Sequence, residues 1–163
     1  MEQEGSATLA LTRFMVKISN YLDKKFITFL GVEARDEALL AMVEVLSAAG
    51  KIENKDEFFQ ALVDRETIVS TGIGMGVAIP HAKLPSYDDF FIAIGVLKDG
   101  VDWDALDGAP VRVIFMIGGP DDKQTEYLQI LSGITVAIKD EERRKKLLTL
   151  KSPTSIIKLF KDF

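Results

Sequence analysis

His81 is the only histidine in the chain, and it closes the run Thr71-Gly72-Ile73-Gly74-Met75-Gly76-Val77-Ala78-Ile79-Pro80-His81. An imidazole is the one side chain whose ordinary pKa lets it stand neutral near pH 7 as a nucleophile or proton acceptor. Glycines let a backbone come close to a ligand, and turned amides cradle anions. Together they predict a nucleophile beside a place for a phosphate, with backbone donors near Thr71, Gly72 and Gly74 or beside the histidine. Pro80 fixes its own φ and biases Ile79 to extended geometry, so the side chain after it leaves a strand end in a defined direction. The bland alternatives are a histidine satisfied by backbone hydrogen bonds and glycines that mark a bulge. Sixteen residues upstream, Arg65 ends a helical pattern and delivers a cation towards the glycines. Its alternative is a solvated charge at a helix end.

Other chemistries are excluded by what is missing. Without cysteine there are no disulfides or thiolates, and zinc would have to be held by one histidine and carboxylates. No G-x-S-x-G elbow occurs, the glycines lack dinucleotide-fingerprint spacing, and no G-x-x-x-x-G-K-[ST] loop is present. Neither a metal nor a cofactor is expected. A formal net charge of −5 argues against nucleic acid, whose phosphates are bound by clustered Lys and Arg. The start Met1-Glu2-Gln3-Glu4-Gly5 is acidic where a signal peptide is basic. No apolar run approaches the ~18 residues of a membrane span, so a cytoplasmic protein with no membrane insertion is expected.

The elements that must position His81 and Arg65 follow from periodicity. At 163 residues, 47% apolar and 28% charged, the chain reads as a single domain over 1–163. Leu11, Phe14, Met15, Ile18, Tyr21 and Leu22 predict an amphipathic helix over about 9–22. Phe26–Leu30 reads as a strand, and a helix follows from about Asp36 with Leu39, Met42, Val43 and Leu46 inward and Gly50 as its cap. Asn54 and Glu57 form a capping-box pattern that opens a helix ending near Arg65-Glu66. Val77–Ile79, Phe90–Leu97 and Val111–Ile117 read as strands, with turn chemistry at Asp107–Pro110. A long helix from about Lys123 places Tyr127, Leu128, Leu131, Ile134, Thr135 and Ile138 on one face. Helices over Asp140–Leu148 and from Ser152-Pro153 complete the pattern. Strands interleaved with helices predict an α/β fold, a mixed central sheet flanked by helices.

These motifs, taken together over nearly the whole chain, resemble the type-2 IIA domains of the bacterial phosphoenolpyruvate-dependent phosphotransferase system, the fructose, mannitol and nitrogen-regulatory group. The residues that carry the resemblance are Arg65-Glu66, Thr71-Gly72-Ile73-Gly74, Val77-Ala78-Ile79-Pro80-His81-Ala82, Glu37-Ala38-Leu39 and Val101-Asp102-Trp103-Asp104. The resemblance implies that the glycine loop and active histidine lie within 71–82. It further implies that His81 accepts a phosphoryl group through Nε2 from phospho-HPr or its nitrogen paralogue, then relays it to a IIB domain or holds it as a signal for a regulatory target. For that His81 must be neutral, with Nδ1–H held by an acceptor such as a backbone carbonyl, and Arg65 would stabilise the phosphoryl charge. The absence of a fused IIB or membrane segment favours the regulatory branch. Glu66 would orient Arg65 or be surface charge, Lys83 would face solvent, and Trp103 would pack in the core. Many members carry a second active-site histidine where this chain has Tyr127. That residue is a candidate substitute hydrogen-bond donor, against a plain core aromatic. The alternative function is a regulatory binding module that keeps the fold without being phosphorylated.

Overall fold

The computed structural model describes residues 16–163. Six strands form one sheet: β1 (Ile27–Leu30), β2 (Gly72–Gly74), β3 (Val77–Ala78), β4 (His81–Lys83), β5 (Phe91–Val101) and β6 (Val111–Gly119). Five α-helices cover it: α1 (Arg35–Ala48), α2 (Lys55–Ile68), α3 (Gln124–Lys139), α4 (Glu141–Thr149) and α5 (Pro153–Leu159). The sheet runs β1-β5-β6-β3-β2, with β4 paired to β6 as well. It is mixed as expected: β1 and β5 are parallel, β3 and β4 are parallel to β6, and β5–β6 and β2–β3 are antiparallel.

Both faces are buried, which is why β5 and β6 read as nearly continuous apolar runs. On β6, Val113, Phe115 and Ile117 join the core under α3, α4 and α5 with Ile130, Ile134 and Ile138. The alternate residues Ile114 and Met116 join a second core with Leu39, Met42 and Leu46 of α1 and Phe58 and Leu62 of α2. Each fully buried Phe or Leu of these layers contributes on the order of 2 kcal/mol of apolar burial.

The helix signals act as read. The Asn54 side chain accepts from the Glu57 N–H at 3.1 Å to open α2, and Ser152 with Pro153 opens α5; Asp140, read as the first residue of its helix, is instead the N-cap of α4. After α1, Gly50 adopts φ +74°, and its N–H reaches Ser47 O while Lys51 N–H reaches Leu46 O. That pair of bonds is a Schellman cap, which needs a left-handed residue at this point.

Two expectations need correction. Of the helix predicted over 9–22, residues 9–15, with Leu11, Phe14 and Met15, lie outside the described residues, and Ile18–Tyr21 is a 3-10 turn. Ser19 N–H bonds the carbonyl of Phe163 at 2.8 Å, and Leu22 is extended, so the local ladder stops after one turn. The buried face of α3 runs through Tyr127, Ile130, Gly133, Ile134, Ala137 and Ile138. Leu128, placed inward from the sequence, is 54% exposed, because it stands about 100° around the helix from Tyr127. As read, Pro80 interrupts the pairing: β3 closes at Ala78 and a separate strand, β4, opens at His81. β3 and β4 hold the same register on β6, Val77 opposite Val113 and His81 opposite Ile117, and Pro80 keeps its place by accepting from Ile117 N–H.

Candidate functional site

His81 begins β4, whose one strand partner among the described residues is β6. Its side chain therefore stands at an open sheet edge, where helices from the two opposite layers can both reach it. From one layer comes Arg65, on the last turn of α2. Its Nε donates to His81 Nε2 at 3.2 Å, and its NH1 donates to the carbonyl of Val69 at 2.8 Å. From the other comes Tyr127 of α3, its ring centroid 5.3 Å from that of His81. Phe90 stacks behind Tyr127 at 6.2 Å.

The tautomer of His81 follows from its neighbours. Nδ1 lies 3.3 Å from the carbonyl oxygen of Ile79, and a carbonyl can only accept, so Nδ1 carries the hydrogen. Nε2 then holds the lone pair, which accepts from Arg65. Burial pushes the imidazole pKa down to about 4; the Ile79 carbonyl opposes the fall, and the charges of Arg65 and Lys83 add to it. His81 is neutral at physiological pH with its lone pair facing a guanidinium. Tyr127 cannot supply a charge of its own, because burial raises its phenol to about 12.

Lys83, expected to face solvent, is partly exposed and also reaches a neighbour of His81. Two residues beyond His81, it projects to the same side of β4, and its Nζ lies 4.0 Å from the centre of the Tyr127 ring. It also donates to Gln124 Oε1 at 2.9 Å.

Glu66 follows neither reading made of it. It is 5% exposed and turns away from Arg65 into a closed network. Its carboxylate accepts from Thr71 N–H at 3.1 Å, from the Thr71 hydroxyl, and from the indole N–H of Trp103 at 3.2 Å. Trp103, expected as core packing, is buried and also ties the loop after β5 to the end of α2.

The glycine segment is a hairpin rather than an open cradle. Met75 and Gly76 have φ of 60° and 74°, the left-handed pair of a tight type I′-like turn between β2 and β3. Gly72 is required by packing, since a Cβ there would lie 2.8 Å from Ala105 Cβ. The donors expected of Thr71 are taken by Glu66, and Gly72 N–H is taken by the Ser70 hydroxyl at 3.0 Å. Beside Gly74 the nearest atom to an added Cβ would be Asp107 Oδ2. That carboxylate also accepts from Met75 N–H at 3.1 Å. The anion held by this hairpin is therefore the chain's own, and the Thr71 and Gly72 amides expected as phosphate donors are bonded to Glu66 and Ser70. The residues that are brought together at His81 are Arg65, Tyr127 and Lys83.

Among the described residues no group of three or more His, Cys, Asp or Glu side chains is placed to hold a metal, and no helix is long and apolar enough to cross a membrane.

Comparison with known proteins identifies the family. Residues 20–163 match the family described as "Phosphoenolpyruvate-dependent sugar phosphotransferase system, EIIA 2". The chain is 40% identical over 144 residues to the PTS system fructose-specific EIIABC component of Bacillus subtilis (strain 168), a match covering 87% of this chain and 22% of that protein. It is 32% identical over 122 residues to the PTS system fructose-specific EIIA component of Haloferax volcanii, covering 75% of this chain and 79% of that one. The nitrogen regulatory protein IIA-Ntr of Neisseria meningitidis has a similar structure, with a TM-score of 0.81 at 26% identity over 88% of this chain and 98% of that chain. The sheet, the helices on its two faces and the match along nearly the whole length give one conclusion: this chain belongs to the EIIA 2 family of the phosphoenolpyruvate-dependent sugar phosphotransferase system.

Proposed function

We propose that the protein is a phosphocarrier in which His81 Nε2 takes a phosphoryl group from a phosphorylated histidine of HPr or its nitrogen paralogue. The observation that carries this reading is the neutral Nδ1–H imidazole at an open sheet edge, its Nε2 lone pair facing Arg65 at 3.2 Å. In the transfer the N–P bond of the donor breaks, its electron pair stays on the donor nitrogen, and the Nε2–P bond forms. Both imidazoles keep their other N–H, so no proton has to enter or leave.

Arg65 occupies the lone pair in the resting protein and must yield as phosphorus approaches. It then lies beside the equatorial oxygens, where charge accumulates. Because the guanidinium is anchored at Val69 by a separate nitrogen, this is a local rotation. The phosphoryl group then passes to a IIB domain; the name of the Bacillus subtilis relative joins A, B and C components in one protein.

The test is to incubate the protein with phosphoenolpyruvate, Enzyme I and HPr or the nitrogen paralogue. An acid-labile, alkali-stable phosphate is expected on the wild type and none on His81→Ala. No label with either carrier would reject the proposal in favour of a binding module that keeps the fold without phosphorylation.

A further inference from the structure

We infer that Lys83 is the second cation of the phosphoryl site, and that Tyr127 serves as the platform that holds its ammonium beside His81 rather than as a hydrogen-bond donor. The inference rests on the proposed phosphorylation of His81.

Three observations carry it. His81 and Lys83 are alternate residues of one strand, opposite Ile117 and Gly119 of β6, so both side chains leave the same face about 7 Å apart along the backbone. The Tyr127 ring touches both: 5.3 Å from the His81 ring and 4.0 Å from Lys83 Nζ, well inside the ~6 Å range of a cation–π contact. Gln124, one turn before Tyr127 on α3, accepts from the same ammonium at 2.9 Å. A flexible lysine stem is thereby held at two points.

The charges at this edge are unbalanced. Arg65 and Lys83 act on each other as like charges, and each depresses the His81 pKa. Among the described residues neither is in a salt bridge; Asp121 is the acidic group whose field reaches Lys83. Two cations without a salt-bridge partner beside a neutral imidazole repel one another at rest, and a doubly negative phosphoryl group on Nε2 relieves that repulsion. Stabilisation of this kind arises only once the charge arrives, which is the condition for lowering a barrier. The phenol contributes its π face, which attracts a cation whatever its hydroxyl does.

The experiment compares transfer rates from phospho-HPr to full-length wild type, Lys83→Met, Lys83→Arg, Tyr127→Phe and Tyr127→Leu, with circular dichroism as the folding control. Lys83→Met should slow transfer by roughly ten- to a hundredfold, as for loss of one charged donor, and Lys83→Arg should recover most of it. Tyr127→Leu, which removes the platform, should slow transfer more than Tyr127→Phe, which keeps it. As a readout that packing would not move, 31P NMR titration of the phosphohistidine should show a higher phosphoryl pKa in Lys83→Met than in wild type. Wild-type rates in Lys83→Met, or a larger loss in Tyr127→Phe than in Tyr127→Leu, would overturn the inference while leaving His81 as acceptor. Absence of label on the wild type overturns both.

Discussion

Arg65 and Glu66 are neighbours on the last turn of α2, yet they belong to regions of opposite character. Glu66 points into a closed network in which the Thr71 amide and hydroxyl and the Trp103 indole all find their acceptor. Arg65 points to an open cluster with His81, Lys83 and Tyr127, where two cations have no ion-pair partner among the described residues. A satisfied buried network supports structure, because any change leaves a donor or acceptor stranded. An unbalanced cluster at an accessible edge is suited to receive charge. The difference separates residues that hold the fold from residues that use it, even where they are adjacent in the chain.

The comparison can be broken from either side. Arg65→Ala has the largest expected effect, a slowing of phosphoryl transfer to His81 by roughly a hundred- to a thousandfold, with the unfolding temperature within about 4 °C of wild type. If transfer were unchanged, the open cluster would not be the reacting site. Glu66→Ala should do the reverse. Stranding the Thr71 amide and hydroxyl should lower stability by about 2 kcal/mol, and the emission of Trp103, the only tryptophan, should shift as its indole loses one of its two acceptors and keeps the Thr71 hydroxyl oxygen at 3.1 Å. A fully stable Glu66→Ala protein would show that the network is not structural.

A smaller effect is expected at Gly72, where Ala105 Cα would lie 3.0 Å from an added Cβ. Gly72→Ala should cost about 1–2 kcal/mol in urea unfolding through overpacking without slowing transfer. A large loss of transfer in a folded Gly72→Ala protein would restore a phosphate role to the glycine segment.

The smallest signal is the protonation of His81 itself, which long-range 1H–15N NMR can follow without overlap because it is the sole histidine. It should be a neutral Nδ1–H tautomer that stays untitrated through its ordinary range and protonates near 4. Burial favours the neutral form, so the folded state binds its proton less readily than the unfolded chain. The resulting stability is present above pH ~6.5 and is lost as pH falls towards about 4. Arg65→Ala should raise the value only in part, since burial is the larger cause. A titration at the ordinary histidine value would contradict the buried, cation-flanked setting.

Much of this was legible in the residues. Apolar periodicity located the five helices and the long strands, because both faces of the sheet and the inner faces of its helices must be apolar to be buried. Capping chemistry is equally local, so Asn54, Ser152 and Gly50 announced their roles. The His81–Arg65 pair was visible through the family resemblance, and the need for a carbonyl on Nδ1 followed from nucleophile chemistry. What was misread shares one cause. Glycine spacing reports that the backbone is special without saying why, and here the reasons are a left-handed turn at Met75-Gly76 and the approach of Ala105 to Gly72, both set by partners 30 or so residues away. Glu66 was similarly opaque, since its acceptor role depends on Thr71 and Trp103 arriving from other segments.

By itself, the amino-acid sequence determined most of the elements, the apolar stripes that must be buried, and a single histidine with an arginine sixteen residues before it. Those properties depend on local geometry and on the chemistry of single side chains. Only the tertiary structure decided which neighbours share a site. It carried β4 on past Pro80 along the edge of β6, brought α2 and α3 from opposite faces to that edge, closed Glu66 away and laid Lys83 across Tyr127. Such contacts depend on distances between segments far apart in the chain, which periodicity and spacing do not encode.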